Sequence, residues 1–191
     1  DIGAEWWHRD PGWEKTDMDW PVVPWALREL LLHVQELYPT RGGIIITENG
    51  CACESSLSAE LDQRPGVLEP QTCSKGESSS RTDTGLSRTP DDDAVIQVFD
   101  DPQRVRFFRA HLASVHAALG RGADVRGYFA WSFLDNFEWA EGYGKRFGLV
   151  RVDYATQERM VKASGRFLSE VFRNGGLEAP LPEEQYGGRQ F

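Results

Sequence analysis

Gly43-Ile44-Ile45-Ile46-Thr47 constrains the fold most: a short β-branched run, apolar on both alternating faces. Residues of this kind favour the pleated backbone, and apolar character on both faces predicts a strand covered on two sides, as in a parallel sheet. A second strand is predicted at Arg126-Gly127-Tyr128-Phe129-Ala130-Trp131-Ser132. Helical patterns alternate with these two. Pro24 suits a first helical position, and Leu27, Leu30, Leu31, Val34 and Leu37 recur at amphipathic spacing until Pro39 stops the helix. Asp101-Pro102 reads as a cap and first-turn proline for a helix whose face carries Val105, Phe108, Leu112, Val115 and Leu119 and which ends at Gly120 or Gly122. A last helix is predicted over 161–173, buried through Phe167, Leu168, Val171 and Phe172 and closed by Gly175-Gly176.

The order helix, strand, helix, strand, helix implies an α/β architecture with parallel strands. Two strands leave unpaired edges and an uncovered apolar face, so the pattern itself calls for neighbouring strands. Between the ordered stretches, residues 54–93 hold no aromatic and many Ser, Thr, Gly, Pro and charged residues, which reads as a low-complexity surface insertion. The chain thus divides into a lead-in, helix, strand and loop (1–53), the insertion (54–93), a helix–strand–loop–helix segment (94–174) and a loose tail (175–191). The opening stretch to Val23 is punctuated by Trp6, Trp7, Trp13 and Trp20 and reads as irregular chain laid over an apolar surface.

Composition removes several classes of function. A formal net charge of −9 repels nucleic acid and anionic lipid. No apolar run is long enough to span a bilayer. Cys51, Cys53 and Cys73 form an odd set, the Cys-x-Cys pair is too close for a relaxed disulfide, and two thiolates alone do not build a zinc site. No metal and no cofactor is expected, and reduced thiols favour an intracellular, cytoplasmic setting.

Two segments carry chemistry. Glu48 directly follows a buried strand, at the end where α/β barrels collect catalytic groups, although Thr47-Glu48-Asn49-Gly50 also reads as a plain turn. Past the second strand, Trp131-Ser132-Phe133-Leu134-Asp135-Asn136-Phe137-Glu138-Trp139 sets aromatic faces beside carboxylates, a combination suited to a neutral polyhydroxylated ligand. The competing reading is a Trp-rich core with Glu138 paired to Lys145 or Arg146.

Together with Arg146-Phe147-Gly148-Leu149-Val150-Arg151-Val152-Asp153-Tyr154 and Thr16-Asp17-Met18-Asp19-Trp20-Pro21-Val22-Val23-Pro24, these stretches resemble glycoside hydrolase family 1, the β-glucosidase family, over its C-terminal third. The resemblance implies a portion of a (β/α)8 TIM barrel containing strands seven and eight, and retaining β-glycoside hydrolysis through a glycosyl-enzyme intermediate on Glu48. It implies that Trp131 is the platform beneath the sugar, that Glu138 and Trp139 hold its hydroxyls, and that Phe147 lies near its 6-position. The Glu138-Trp139 pair implies an unphosphorylated sugar. Asp19 stands where the family usually has Gly. The family's Asn-Glu-Pro acid/base motif has no counterpart here, so the isolated chain is expected to be inactive and poorly folded. The expected partner is a small-molecule β-glycoside or oligosaccharide, with neither nucleic acid nor membrane. Two other readings stay open: a non-catalytic carbohydrate-binding remnant of the same fold, and a purely structural or interaction fragment.

Overall fold

A computed structural model describes residues 12–38, 41–53, 57, 59, 63 and 98–177. The 54–93 insertion lies almost wholly outside the described residues, as does most of the 175–191 tail. Helix α1 spans Pro24–Leu37, strand β1 Ile44–Asn49, helix α2 Pro102–Gly120 and strand β2 Val125–Ala130. A short hairpin of β3 (Val150–Val152) and β4 (Arg159–Val161) then precedes helix α3, Ala163–Asn174.

β1 and β2 are parallel neighbours, pairing Ile44 with Val125, Ile46 with Tyr128 and Asn49 with Ala130, with irregularities after Ile44 and between Ile46 and Asn49. The second irregularity falls on Thr47-Glu48, before pairing resumes at Asn49. Among the described residues the strands form two separate two-stranded sheets and no closed barrel.

One face of β1 and β2 is packed and the other is open. Ile44, Ile46, Val125 and Tyr128 pack against Leu31, Val115, Ala118 and Ala123. A second cluster holds Cys51, Cys53, Phe107, Phe108 and Leu168, flanked by Val22, Tyr128, Ala130, Leu149 and Phe167. A fully buried side chain such as Phe108 contributes on the order of 1.5–3 kcal/mol. On the opposite face Ile45 and Phe129 remain 55% and 60% exposed. The expected two-sided cover is therefore met on the helical side only, because the described elements supply nothing to pack on the other.

The helices follow their predicted bounds closely, but their buried stripes are narrower. Leu30 and Leu37 of α1, Leu119 of α2 and Phe172 of α3 are exposed, while Arg28, Arg104 and His111 are buried. Each of these leucines and Phe172 fits the apolar period, yet points past the edge of the two-stranded core. α3 ends as predicted at Gly175, whose left-handed backbone lets its N–H reach the Val171 carbonyl.

The β3–β4 hairpin was not legible in the sequence. Its strands are three residues long, and Arg151 at the centre of β3 is fully buried, so no apolar alternation marks it. Its turn is set by Asp153, whose Oδ1 accepts the Ala155 and Thr156 amides at 2.8 and 3.0 Å. The Thr156 amide above all holds the Asp153 carboxyl below its ordinary pKa. The lead-in is irregular as expected: Val22 packs on the core, and Trp20 lies 6.1 Å from the Phe147 ring.

Candidate active site

The loops leaving β1 and β2 meet at the carboxyl ends of the two strands. The Trp131 amide donates to the Asn49 carbonyl at 2.8 Å, continuing the ladder one residue past β2. The Tyr128 hydroxyl donates to Asn49 Oδ1 at 2.6 Å, fixing that side chain beside Glu48. Burial, with the neighbouring Cys51 sulfur as a lesser cause, pushes the Tyr128 phenol well above its usual pKa, so it stays a protonated donor. Gly50 lies against the Trp131 carbonyl so closely that a Cβ has no space, which explains glycine there. The Trp131–Ser132 peptide bond is cis.

Behind these loops runs a buried polar scaffold. Arg104 of α2, fully buried, donates to the carbonyls of Cys51 at 3.2 Å, Cys53 at 3.3 Å and Arg146 at 2.7 Å, and pairs with Asp101 at 2.6 Å. One guanidinium therefore ties the loop after β1 to the loop after β2, as its planar fork of five donors permits. Asp101 also accepts from the Ser164 amide and hydroxyl at 2.8 and 2.6 Å. Asp101 and Pro102 open α2 as expected, but the Asp101 carboxylate caps no amide of that helix; it binds the Arg104 side chain and the start of α3 instead. Asp135 is a second hub, accepting from Gly148 N at 2.9 Å, Arg146 at 3.1 Å and Lys162 at 3.5 Å. Arg146 also reaches the Val152 carbonyl at 2.8 Å and stacks 4.1 Å from the Tyr154 ring centroid. Both hubs are buried charges with partners on several sides, the condition under which burial is tolerated.

The residues singled out for chemistry stand in front of this scaffold. Glu48 is exposed at the end of β1. Trp131 is half-buried, and Trp139 is 83% exposed on a short helical turn, Trp139–Glu141. The Glu138 backbone is fixed by bonds with Gly142 and Glu141, while its Oε2 is buried with no hydrogen-bond partner among the described residues. The competing pairing of Glu138 is not formed: Arg146 binds Asp135, and Lys145 donates to the Asp17 carbonyl at 2.6 Å. A carboxylate oxygen held behind the surface without a donor suits an incoming hydroxyl. Phe147 is 3% exposed and fills the space under Trp20 rather than lying open. Asp135, the other acid of the aromatic loop, faces inward and is structural.

Sequence reasoning missed Arg104, Tyr128 and Lys162. Arg104 sits at a position the helical period marks as buried, which was the available signal.

The sequence pattern of glycosyl hydrolase family 1 matches residues 3–65 and 81–177. The chain belongs to glycosyl hydrolase family 1. It is 37% identical over 164 residues to β-glucosidase A of Thermotoga maritima, covering 86% of this chain and 28% of that protein. It is 40% identical over 167 residues to β-glucosidase 4 of Oryza sativa subsp. japonica, covering 86% and 27%. With a 6-phospho-β-galactosidase of Lacticaseibacillus rhamnosus it shares 34% over 170 residues, covering 89% and 29%. The solved family 1 β-glucosidase of Thermotoga maritima in complex with isofagomine lactam superimposes with a TM-score of 0.62 at 36% identity, covering 90% of this chain and 30% of that one. The chain thus spans less than a third of the length of the relatives it matches. Among the described residues no group of His, Cys, Asp or Glu is placed to hold a metal ion, and no helix is long and apolar enough to cross a membrane.

Proposed function

We propose that this chain is the part of a retaining β-glucosidase that contains barrel strands seven and eight, and that Glu48 is its nucleophile. Glu48 attacks the anomeric carbon, the leaving oxygen is protonated by an acid/base carboxyl contributed from outside these residues, and water then hydrolyses the glycosyl ester on Glu48. Two such carboxyls stand about 5–5.5 Å apart in retaining enzymes, so the partner acid must come from another strand end that faces Glu48 across the barrel mouth. Trp131 is the platform under the sugar ring, Glu138 and Trp139 receive its hydroxyls, and Phe147 shapes the 6-position from beneath. An apolar Phe147 and a carboxylate at Glu138 disfavour a phosphate at that position, so the substrate is an unphosphorylated β-glycoside.

The observation that most supports the reading is the joining of two strand-end loops, the Trp131 amide to the Asn49 carbonyl at 2.8 Å, which brings together the segments that carry Glu48 and Trp131. The family membership and the unpartnered Glu138 oxygen support it. The 191 residues alone lack the acid, a contribution of roughly 10²–10⁴-fold, and lack the strands that close the barrel. They are therefore inactive in isolation.

The test compares the 191-residue chain with a protein carrying this chain and its upstream sequence. The longer protein is expected to hydrolyse a nitrophenyl β-glucoside, to ignore its 6-phosphate, and to release the sugar with retained anomeric configuration by NMR. Glu48→Gln in that protein lowers kcat by about 10⁴-fold or more. Sugar binding without turnover in the longer protein points to the non-catalytic remnant instead, and an inverted product refutes the nucleophile role.

A further inference from the structure

The mechanism leaves one pair of nucleophilic side chains unused. Cys51 and Cys53 are both fully buried, yet their Sγ atoms converge to 3.1 Å. That is closer than sulfurs rest in van der Waals contact, and closer than the roughly 3.7 Å edge that bonds of about 2.3 Å impose on two thiolates of a tetrahedral zinc site. Packing as two small hydrophobes does not require convergence. The backbone carrying the thiols is pinned from behind: Arg104 holds both carbonyls, and the Cys53 amide donates to the Arg146 carbonyl at 3.4 Å.

We propose that Cys51 and Cys53 form an oxidisable dithiol, a modification site that takes a small peroxide as its oxidant and closes to a Cys51–Cys53 disulfide. One thiolate displaces hydroxide from the peroxide O–O bond and becomes a sulfenic acid. The second sulfur attacks the first, the S–S bond forms, and the sulfenic oxygen leaves as water. Two thiols lose two electrons and two protons, and one peroxide is reduced to two waters. With both thiols fully buried, a bulky disulfide such as glutathione has no access to them. With a single residue between the cysteines the ring is small and strained, so a dithiol reductant reopens it, giving a switch and not a permanent staple.

The pair lies just beyond Glu48 and Gly50. Drawing the sulfurs from 3.1 Å to about 2.05 Å contracts the turn whose Gly50 rests against the Trp131 carbonyl. Oxidation therefore displaces the Glu48 segment. The dithiol chemistry goes beyond the glycosidase reading and does not depend on it.

The experiment treats the reduced longer protein, this chain carried with its upstream sequence, with equimolar hydrogen peroxide, in native buffer and in denaturant, then alkylates, digests and weighs the peptides. The expected product is a Cys51–Cys53 peptide unalkylated at both positions and lighter by about 2 Da, restored by dithiothreitol and unchanged by Cys73→Ser. It forms at least about tenfold faster in native buffer than in denaturant, and amide exchange over 44–53 changes with it reversibly. Equal rates in the two conditions, a bridge to Cys73, or sulfinic acid as the main native product overturn the proposal. Unchanged exchange over 44–53 overturns the displacement of Glu48.

Discussion

The two sides of the β1–β2 pair are built on different principles. On the helical side every loop is anchored: Arg104 gathers three carbonyls and Asp101, Asp135 gathers Arg146, Lys162 and the Gly148 amide, and Phe108 and Leu168 fill the remaining space. On the other side Ile45 and Phe129 stand exposed, as do Phe133, Phe137 and Trp139 in the loop after β2. Changes on the helical side are expected to cost stability, and changes on the open side to alter the binding proposed there. The comparison teaches that the candidate residues are positioned from behind, by groups that never meet a ligand. Their neighbours in front must come from outside the described residues.

Arg104→Ala attacks the anchored side and carries the largest expected effect. It leaves Asp101 buried without its cation and frees both loops, at about 3–5 kcal/mol. In the barrel-length protein the expected result is a large fall in the midpoint of denaturant unfolding; an unchanged midpoint breaks the distinction between the two sides. His111 offers a smaller probe on the same side. Its ring stacks on Phe107 at 3.9 Å, and burial lowers its pKa from 6.5 to about 4. The folded state thus resists protonation that the unfolded chain accepts. Stability is fully present above pH 6.5 and declines as pH falls towards 4, by at most a few kcal/mol. His111→Phe is expected to flatten that part of a stability–pH curve; an unchanged slope contradicts the assignment.

On the open side, Trp139→Ala is expected to change stability by no more than about 0.5 kcal/mol, because the ring is 83% exposed, while raising KM for the glycoside. A large loss of stability with unaltered KM reverses the roles given to the two sides. Asp19→Gly has the smallest expected effect. Asp19 holds a φ of 58°, a left-handed backbone that Asp tolerates and Gly adopts freely. The gain is limited to a few tenths of a kcal/mol by the exposed Lys15 pairing that the change removes. A loss above about 1 kcal/mol in thermal unfolding speaks for a structural role of that carboxylate.

The anchored side was only half legible in the sequence. Periodicity located α1, α2, α3 and both parallel strands, because apolar residues at fixed spacing report burial directly. It failed where burial is polar. Arg104, Arg151, Lys162 and Asp101 are fully or almost fully buried, and charged residues carry no apolar signal for the hydrogen bonds that make this possible. The same reasoning misplaced Leu30, Leu119 and Phe172, whose spacing is that of a buried face wider than the described core. On the open side Glu48, Trp131, Glu138 and Trp139 are singled out because aromatic and acidic residues crowd the strand ends; Glu48 and Trp139 are exposed, whereas Trp131 and Glu138 are partly buried. Phe147 was legible as a position, and its burial beneath Trp20 came only with the structure.

The most direct measurement is covalent trapping in the barrel-length protein with a 2-deoxy-2-fluoro-β-glucoside bearing a dinitrophenolate leaving group. This leaving group departs without protonation, so the experiment isolates the nucleophile from its acid partner. After digestion, the proposed mechanism predicts a fluoroglucosyl ester on Glu48 and no label in Glu48→Gln. A label on another carboxylate, or an active enzyme that never labels, contradicts it.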